Sequence, residues 1–134
     1  LESASHHLSG FFDPGIDARN RPLLLHLEKD GSITGAQIAP RLFTQADLQA
    51  YSIFVLYDAQ IDLRDASLIL WKIFNNVDPK RDIIRSEGRV VIDATKKGPE
   101  DGHHRPWPDD IVMDPAVVER VKRRASELGV EEYV

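Results

Sequence analysis

Residues 51–97 read YSIFVLYDAQIDLRDASLILWKIFNNVDPKRDIIRSEGRVVIDATKK, and the pattern within them decides the fold. Ile53-Phe54-Val55-Leu56-Tyr57 gathers β-branched and aromatic residues without helical spacing and closes on Asp58, which predicts a short buried strand. Asp65 stands where a helix cap belongs. Ala66, Ile69, Leu70, Ile73, Phe74 and Val77 then recur at three and four, predicting a helix to about Asn75 with one apolar stripe. Asn75-Asn76 can close that helix in left-handed geometry, and Asp78-Pro79 bars further α conformation. Ile83-Ile84 and Val90-Val91-Ile92 predict two strands joined through Ser86-Glu87-Gly88, the second running into Asp93-Ala94-Thr95-Lys96. Strand, helix, strand, strand is the order of a single α/β domain with a mixed central sheet flanked by helices.

Upstream, residues 1–21 offer only Phe11-Phe12 and Ile16 for burial. They predict an extended arm, ordered only against a partner surface, ahead of a domain over 22–134. Leu23, Leu25 and Leu27 alternate with Leu24 and His26. With Asp30-Gly31 as turn and residues 33–38 returning, they predict a β-hairpin ended by Pro40. Thr44 with Asp47 resembles a capping box that opens one helical turn through Ala50. Downstream, the glycines and prolines of 98–108 require an extended loop, for which Trp107 is the natural anchor. Asp114 as cap, Pro115 at the first position and Gly129 at the end frame a helix with Val117, Val118, Val121, Ala125 and Leu128 on one side. Burying its valines and leucine would contribute about 6 to 10 kcal/mol before entropy is subtracted.

The chain's 134 residues suffice for a core without metal or disulfide. It has no cysteine, which removes thiol chemistry and cysteine zinc sites. A net charge of -5 gives no footprint for nucleic acid. No apolar run reaches the roughly 20 residues of a membrane-spanning helix, and no signal-peptide layout opens the chain, so a cytoplasmic protein is expected.

Asn75-Asn76-Val77-Asp78-Pro79-Lys80-Arg81-Asp82, Asp93-Ala94-Thr95-Lys96-Lys97 and the later Trp107-Pro108 occur in an order that resembles the C-terminal domain of the UbiD-like decarboxylases. The likeness is strongest over 53–129 and extends to Asp62-Leu63-Arg64-Asp65 and Trp71. It implies a parent enzyme several times this long, acting on an aromatic, quinone-precursor carboxylic acid with prenylated FMN, manganese and potassium. The family's cofactor and catalytic glutamate and arginine residues lie in its central domain and match nothing here. The resemblance therefore implies an oligomerisation and bracing domain, inactive and cofactor-free by itself, whose partners are the flavin-binding remainder and further copies. Asn75, Asn76, Asp78, Arg81, Asp82, Asp93, Thr95, Lys96 and Trp107 are then structural or interface positions, with no catalytic residue and no metal ligand among them. One departure is the short link, only residues 85–89, between Ile84 and Val90.

Other readings stay open on the residues alone. Asp78, Arg81 and Asp82 suit a tight turn closed by a bidentate ion pair, while Arg81 also has the planar fork to reach a neighbouring subunit or an anionic cofactor. Asp93, Thr95 and Lys96 lie where a strand leaves the sheet, where α/β proteins often bind ligands. His103-His104 with Asp101, Asp109 and Asp110 would make a small metal-dependent hydrolase if they converged; His6-His7 is a fainter pair. Trp71 suits packing or cofactor stacking, and the Arg120, Lys122, Arg123, Arg124 cluster a solvated face. An independent protein-binding or regulatory module is the remaining alternative.

Overall fold

The structure, a computed structural model, describes residues 7–17 and 19–133. Its centre is a five-stranded mixed sheet in the order β1-β2-β3-β5-β4. Strands β2 (Pro22–Leu27), β3 (Ile53–Asp58) and β5 (Arg89–Asp93) run parallel. The edges β1 (Leu8–Phe12) and β4 (Ile83–Ser86) pair antiparallel. Parallel strands covered on both faces read as continuous apolar runs rather than alternations. Leu23-Leu24-Leu25 and Phe54-Val55-Leu56-Tyr57 are such runs, buried along their length.

Alternate residues feed two cores. On one face Leu23, Leu25, Leu27, Phe54, Leu56 and Val91 meet Ile38, Ala39 and Leu42 of helix α1 (Gly35–Thr44). On the other, Leu24, Val55, Tyr57 and Ala94 meet Ile61, Leu63 and the Leu68, Ile69, Ile73 and Val77 side of helix α2 (Ala66–Asn76). The Glu87-Gly88 pair, with φ of 46° and 79°, makes the tight β4–β5 turn that a two-residue hairpin needs. The chain closes with α3 (Pro115–Arg123) and α4 (Ala125–Leu128).

The central strand, the Asp65-capped helix and the β4–β5 hairpin follow the sequence reading, whereas the N-terminal half departs from it. No strand returns after Asp30-Gly31. Thr34 and Gln37 form a reciprocal capping box instead, and α1 begins at once. Pro40 lies inside that helix on its exposed side, where the backbone acceptor it leaves behind faces water. Thr44 opens no new turn: its hydroxyl donates back to the carbonyls of Pro40 and Arg41, and a short 3-10 turn follows at Ala46–Leu48. The hairpin that does exist joins β1 to β2, so residues 8–12 of the expected arm order against the domain's own sheet. Leu1 to His6 lie outside the described residues.

Two helices also differ. Helix α2 is turned so that Lys72 and Asn76 are buried while Leu70 and Phe74 face outward. Asn76 stays helical rather than left-handed, because its amide donates to the Ala94 carbonyl at 2.8 Å and holds the last turn against the sheet. The C-terminal helix breaks at Arg124; its valines are half-buried and Leu128 is exposed, so the burial energy expected of its stripe is not realised within this chain.

Helix α1 starts hard against β5. A Cβ on Gly35 would lie 2.7 Å from the Asp93 Cβ, inside any real contact. Gly35→Ala is expected to cost about 1 to 3 kcal/mol through that overlap, read as a lowered urea midpoint with an unchanged slope.

Candidate functional site

Three parallel strands deliver their carboxyl ends to one edge of the sheet, the place where open α/β sheets bind ligands. There, Leu27, Lys29, Asp58, Gln60, Lys96 and Glu100 line an open depression of about 440 Å³. Behind it lies a network of buried charge.

Asp93, the last residue of β5, is its hub. One carboxylate oxygen accepts the Thr95 amide at 3.0 Å and the Thr95 hydroxyl at 2.5 Å. The other accepts the first amide of α1, from Gly35, at 3.1 Å. The fully buried Lys97 ammonium donates to the Asp93 carbonyl at 2.9 Å, to its carboxylate at 3.3 Å and to the Thr95 carbonyl at 2.5 Å. Asp82 stands 3.9 Å from the same ammonium. It takes both arms of Arg81, at 2.7 and 2.8 Å, and the Asp78 amide at 2.7 Å. Asp78 in turn accepts the Lys80 amide, which holds its carboxyl below the usual range. Burial pushes the Lys97 ammonium down, and the Asp93 and Asp82 carboxylates beside it oppose that shift.

Two further lysines pin the loop that follows. Lys29 donates to the Lys96 carbonyl at 3.1 Å and pairs with Asp101, whose carboxylate also accepts the Gly98 amide. Lys72, 1% exposed, donates to Asp110 at 2.6 Å. Asp58 accepts the Lys96 amide at 3.1 and 3.3 Å. Burial pushes its carboxyl above the usual range, while that amide and the charges of Lys72, Lys97 and Lys29 pull the other way.

The fold thus brings Asn76, Asp78, Arg81, Asp82, Asp93, Thr95 and Lys96 around one sheet end. Asn75 is exposed and donates to the Trp71 carbonyl, and Trp71 is itself 47% exposed. Trp107 is half-buried and lies edge-on to His103 at 4.9 Å. His7 contacts the Glu28 carbonyl at 3.3 Å. The sequence reading missed Lys29, Lys72 and Lys97. Lys72 carried a signal, since it falls one turn from Asn76 on the side of α2 that faces the sheet; Lys29 carried none beyond following a strand.

The hydrolase reading loses its ligands here, because Asp101 and Asp110 are engaged by Lys29 and Lys72 rather than turned toward His103 and His104. Among the described residues no group of three or more His, Cys, Asp or Glu is placed to hold a metal ion. Nor does the depression suit the divalent ion a UbiD-like parent implies, because Asp58 sits among lysine charges that repel one. No chemical step is assigned to the depression.

Comparison with known proteins follows the same line. Residues 23–104 match the 3-octaprenyl-4-hydroxybenzoate carboxy-lyase C-terminal domain. An uncharacterized protein of Helicobacter pylori is 36% identical over 79% of this chain, which spans only 17% of that relative's length. Among solved structures, the closed form of vanillic acid decarboxylase from Sedimentibacter hydroxybenzoicus superposes with a TM-score of 0.59 at 17% identity, over 80% of this chain and 26% of that one. The UbiD-class enzyme HmfF from Pelotomaculum thermopropionicum, in an evolved dimeric form in complex with prFMN, gives 0.54 at 17% identity, over 73% and 21%.

The two strand-end carboxylates should respond to neutralisation with opposite signs. Asp93→Asn removes the nearer of the two carboxylates beside the buried Lys97 ammonium, leaving only Asp82 at 3.9 Å, and is expected to destabilise by about 3 kcal/mol. Asp58, with its folded pKa raised, contributes stability that is full below its unfolded pKa and lost as pH rises through the folded value. Asp58→Asn is therefore expected to be more stable than wild type at pH 7, with the gap closing toward pH 3 in urea titrations.

Proposed function

The chain belongs to the family of 3-octaprenyl-4-hydroxybenzoate carboxy-lyase C-terminal domains, and on that premise we propose that it joins subunits and braces the flavin-bearing region of a UbiD-like decarboxylase. The bond cleavage itself belongs to the remainder of that enzyme. Loss of carbon dioxide leaves a carbanion, so the electron pair needs an electron-accepting cofactor. Prenylated FMN, with manganese and potassium, fills that role in the central region; the substrate is an aromatic acid on the route to a quinone, and the enzyme is cytoplasmic. Among the described residues no helix is long and apolar enough to cross a membrane.

The observation that carries this reading is the division of the surface. Lys29, Lys72, Lys97 and Arg81 are engaged by carboxylates of the same chain, which makes a stiff support, while the large apolar side chains Leu70, Trp71, Phe74 and Ile111 face outward. Rigid neighbours are what hold a catalytic shell in register. Asn75, Asn76, Asp78, Arg81, Asp82, Asp93, Thr95, Lys96 and Trp107 act in this proposal as support or interface positions.

The test compares the chain alone, the flavin-binding region alone, and the two joined, each assayed for carbon dioxide release from prenylated and unprenylated 4-hydroxybenzoates. The joined protein is expected to turn over a prenylated acid, the flavin-binding region alone at least roughly tenfold more slowly, and the chain alone not at all. Turnover by the isolated chain would refute the proposal.

A further inference from the structure

Strands β2 and β3 are parallel neighbours, yet the chain leaves β2 for α1 on one face of the sheet and leaves β3 for α2 on the other. Where neighbouring connections part in this way a crevice opens between the strand ends, and open α/β sheets bind ligands there. The depression described above occupies that gap. Glu28 and Lys29 come from the loop after β2, Ala59 and Gln60 from the loop after β3, and Asp58 ends the strand itself. Lys96 and Glu100, from the loop after β5, complete the lining. Its volume of about 440 Å³ falls in the range of small-molecule sites.

Two polar groups of this crevice are incompletely matched. Lys29 is held by Asp101, Lys72 by Asp110, and Lys97 by Asp93 and Asp82. The Lys96 ammonium donates no hydrogen bond among the described residues and stands 3.8 Å from Asp110, a carboxylate that Lys72 already holds at 2.6 Å. Asp58 accepts the Lys96 amide through both oxygens. Burial raises its pKa against the pull of the Lys72, Lys97 and Lys29 charges, so its carboxyl takes up a proton more readily than an exposed one.

We propose that this crevice binds a small organic monocarboxylate, whose anionic end pairs with the Lys96 ammonium and shares one proton with the Asp58 carboxyl, while its apolar part lies toward Leu27 and Ala59. The charge count selects the ligand. One incompletely paired ammonium matches one negative charge, whereas a phosphate dianion needs a second cation, and the other lysines are engaged. A cationic ligand would meet those lysines instead. Two carboxyl groups at one site cannot both stay ionised, so the ligand's arrival protonates Asp58. Glu28 on the exposed rim, and Glu100 at 3.9 Å from Lys29, add negative charge that favours the same uptake. Binding of this kind needs neither a second subunit nor a flavin-bearing region, so the chain by itself suffices for the test.

Isothermal titration calorimetry of the full chain tests this, with hexanoate and inorganic phosphate as probes, Asp58→Asn and Lys96→Met as variants, and far-UV circular dichroism to verify their fold. Hexanoate is expected to bind at one site per chain. Its affinity is greatest where Asp58 is already protonated and is lost as pH rises through the Asp58 pKa, by about tenfold per pH unit above it, with one proton taken up per hexanoate. In Asp58→Asn the amide donates in place of that proton, so binding takes up none, no longer varies with pH, and is tighter than wild type on the alkaline side. Lys96→Met should weaken binding roughly tenfold or more at every pH. A wild-type chain that binds no hexanoate at any pH overturns the site, and phosphate bound more tightly than hexanoate overturns the monocarboxylate assignment. Hexanoate binding that Lys96→Met leaves unchanged lies elsewhere and overturns the crevice. Binding lost in Lys96→Met but independent of pH in wild type supports the Lys96 contact and overturns the shared proton.

Discussion

A carboxylate that ends a parallel strand in the middle of a sheet is buried by the strands on either side, and it needs a counter-charge that comes from elsewhere in the chain. Asp93 is in that position, and much of the architecture around it answers this requirement. The first amide of α1 reaches it from one side and Lys97 from the other, so the helix docks and the loop after β5 folds back in satisfying the same group. Asp82 closes the circuit to Arg81, tying the break after α2 to the strand it leads into. A pair of this kind adds little net stability over an apolar alternative, but leaving one member alone is costly, so it selects one arrangement of the elements over others.

Lysines from three separate segments extend the same logic along the strand ends. Lys29 follows β2, Lys72 lies on α2 and Lys97 lies in the loop after β5, and each reaches a carboxylate of the loop or strand beside it. Helix α2 is rotated by this demand. To bring Lys72 and Asn76 inward it must carry Leu70 and Phe74 outward, although both belong to the apolar stripe read from spacing. Polar satisfaction at one end of the sheet and apolar exposure on its flank are two consequences of one helix orientation.

Asp82, Asp93 and Lys97 thus match their buried charges within one network. Asp58 is the exception: burial raises its pKa, and its carboxylate accepts the Lys96 amide beside an open depression.

Much of the fold was legible from local signals. The Phe54 run, the Asp65 cap, the Glu87-Gly88 turn and the Asp114-Pro115 start each form from neighbouring residues, because side-chain packing within a strand and capping within a turn involve contacts a few residues apart. The same scale misread 33–38 as a strand: Thr34 and Gln37 hold a complete capping box, but the alternating leucines before them favoured a hairpin. The ordered Asp-Pro-x-Arg-Asp and Asp-Ala-Thr blocks carry the family resemblance in the sequence itself. What only the tertiary structure decided is which partner each charged group takes. Lys29 and Asp101, or Lys72 and Asp110, lie far apart in sequence, and an ion pair leaves no periodicity behind; its partner is chosen by where burial removes the competing water.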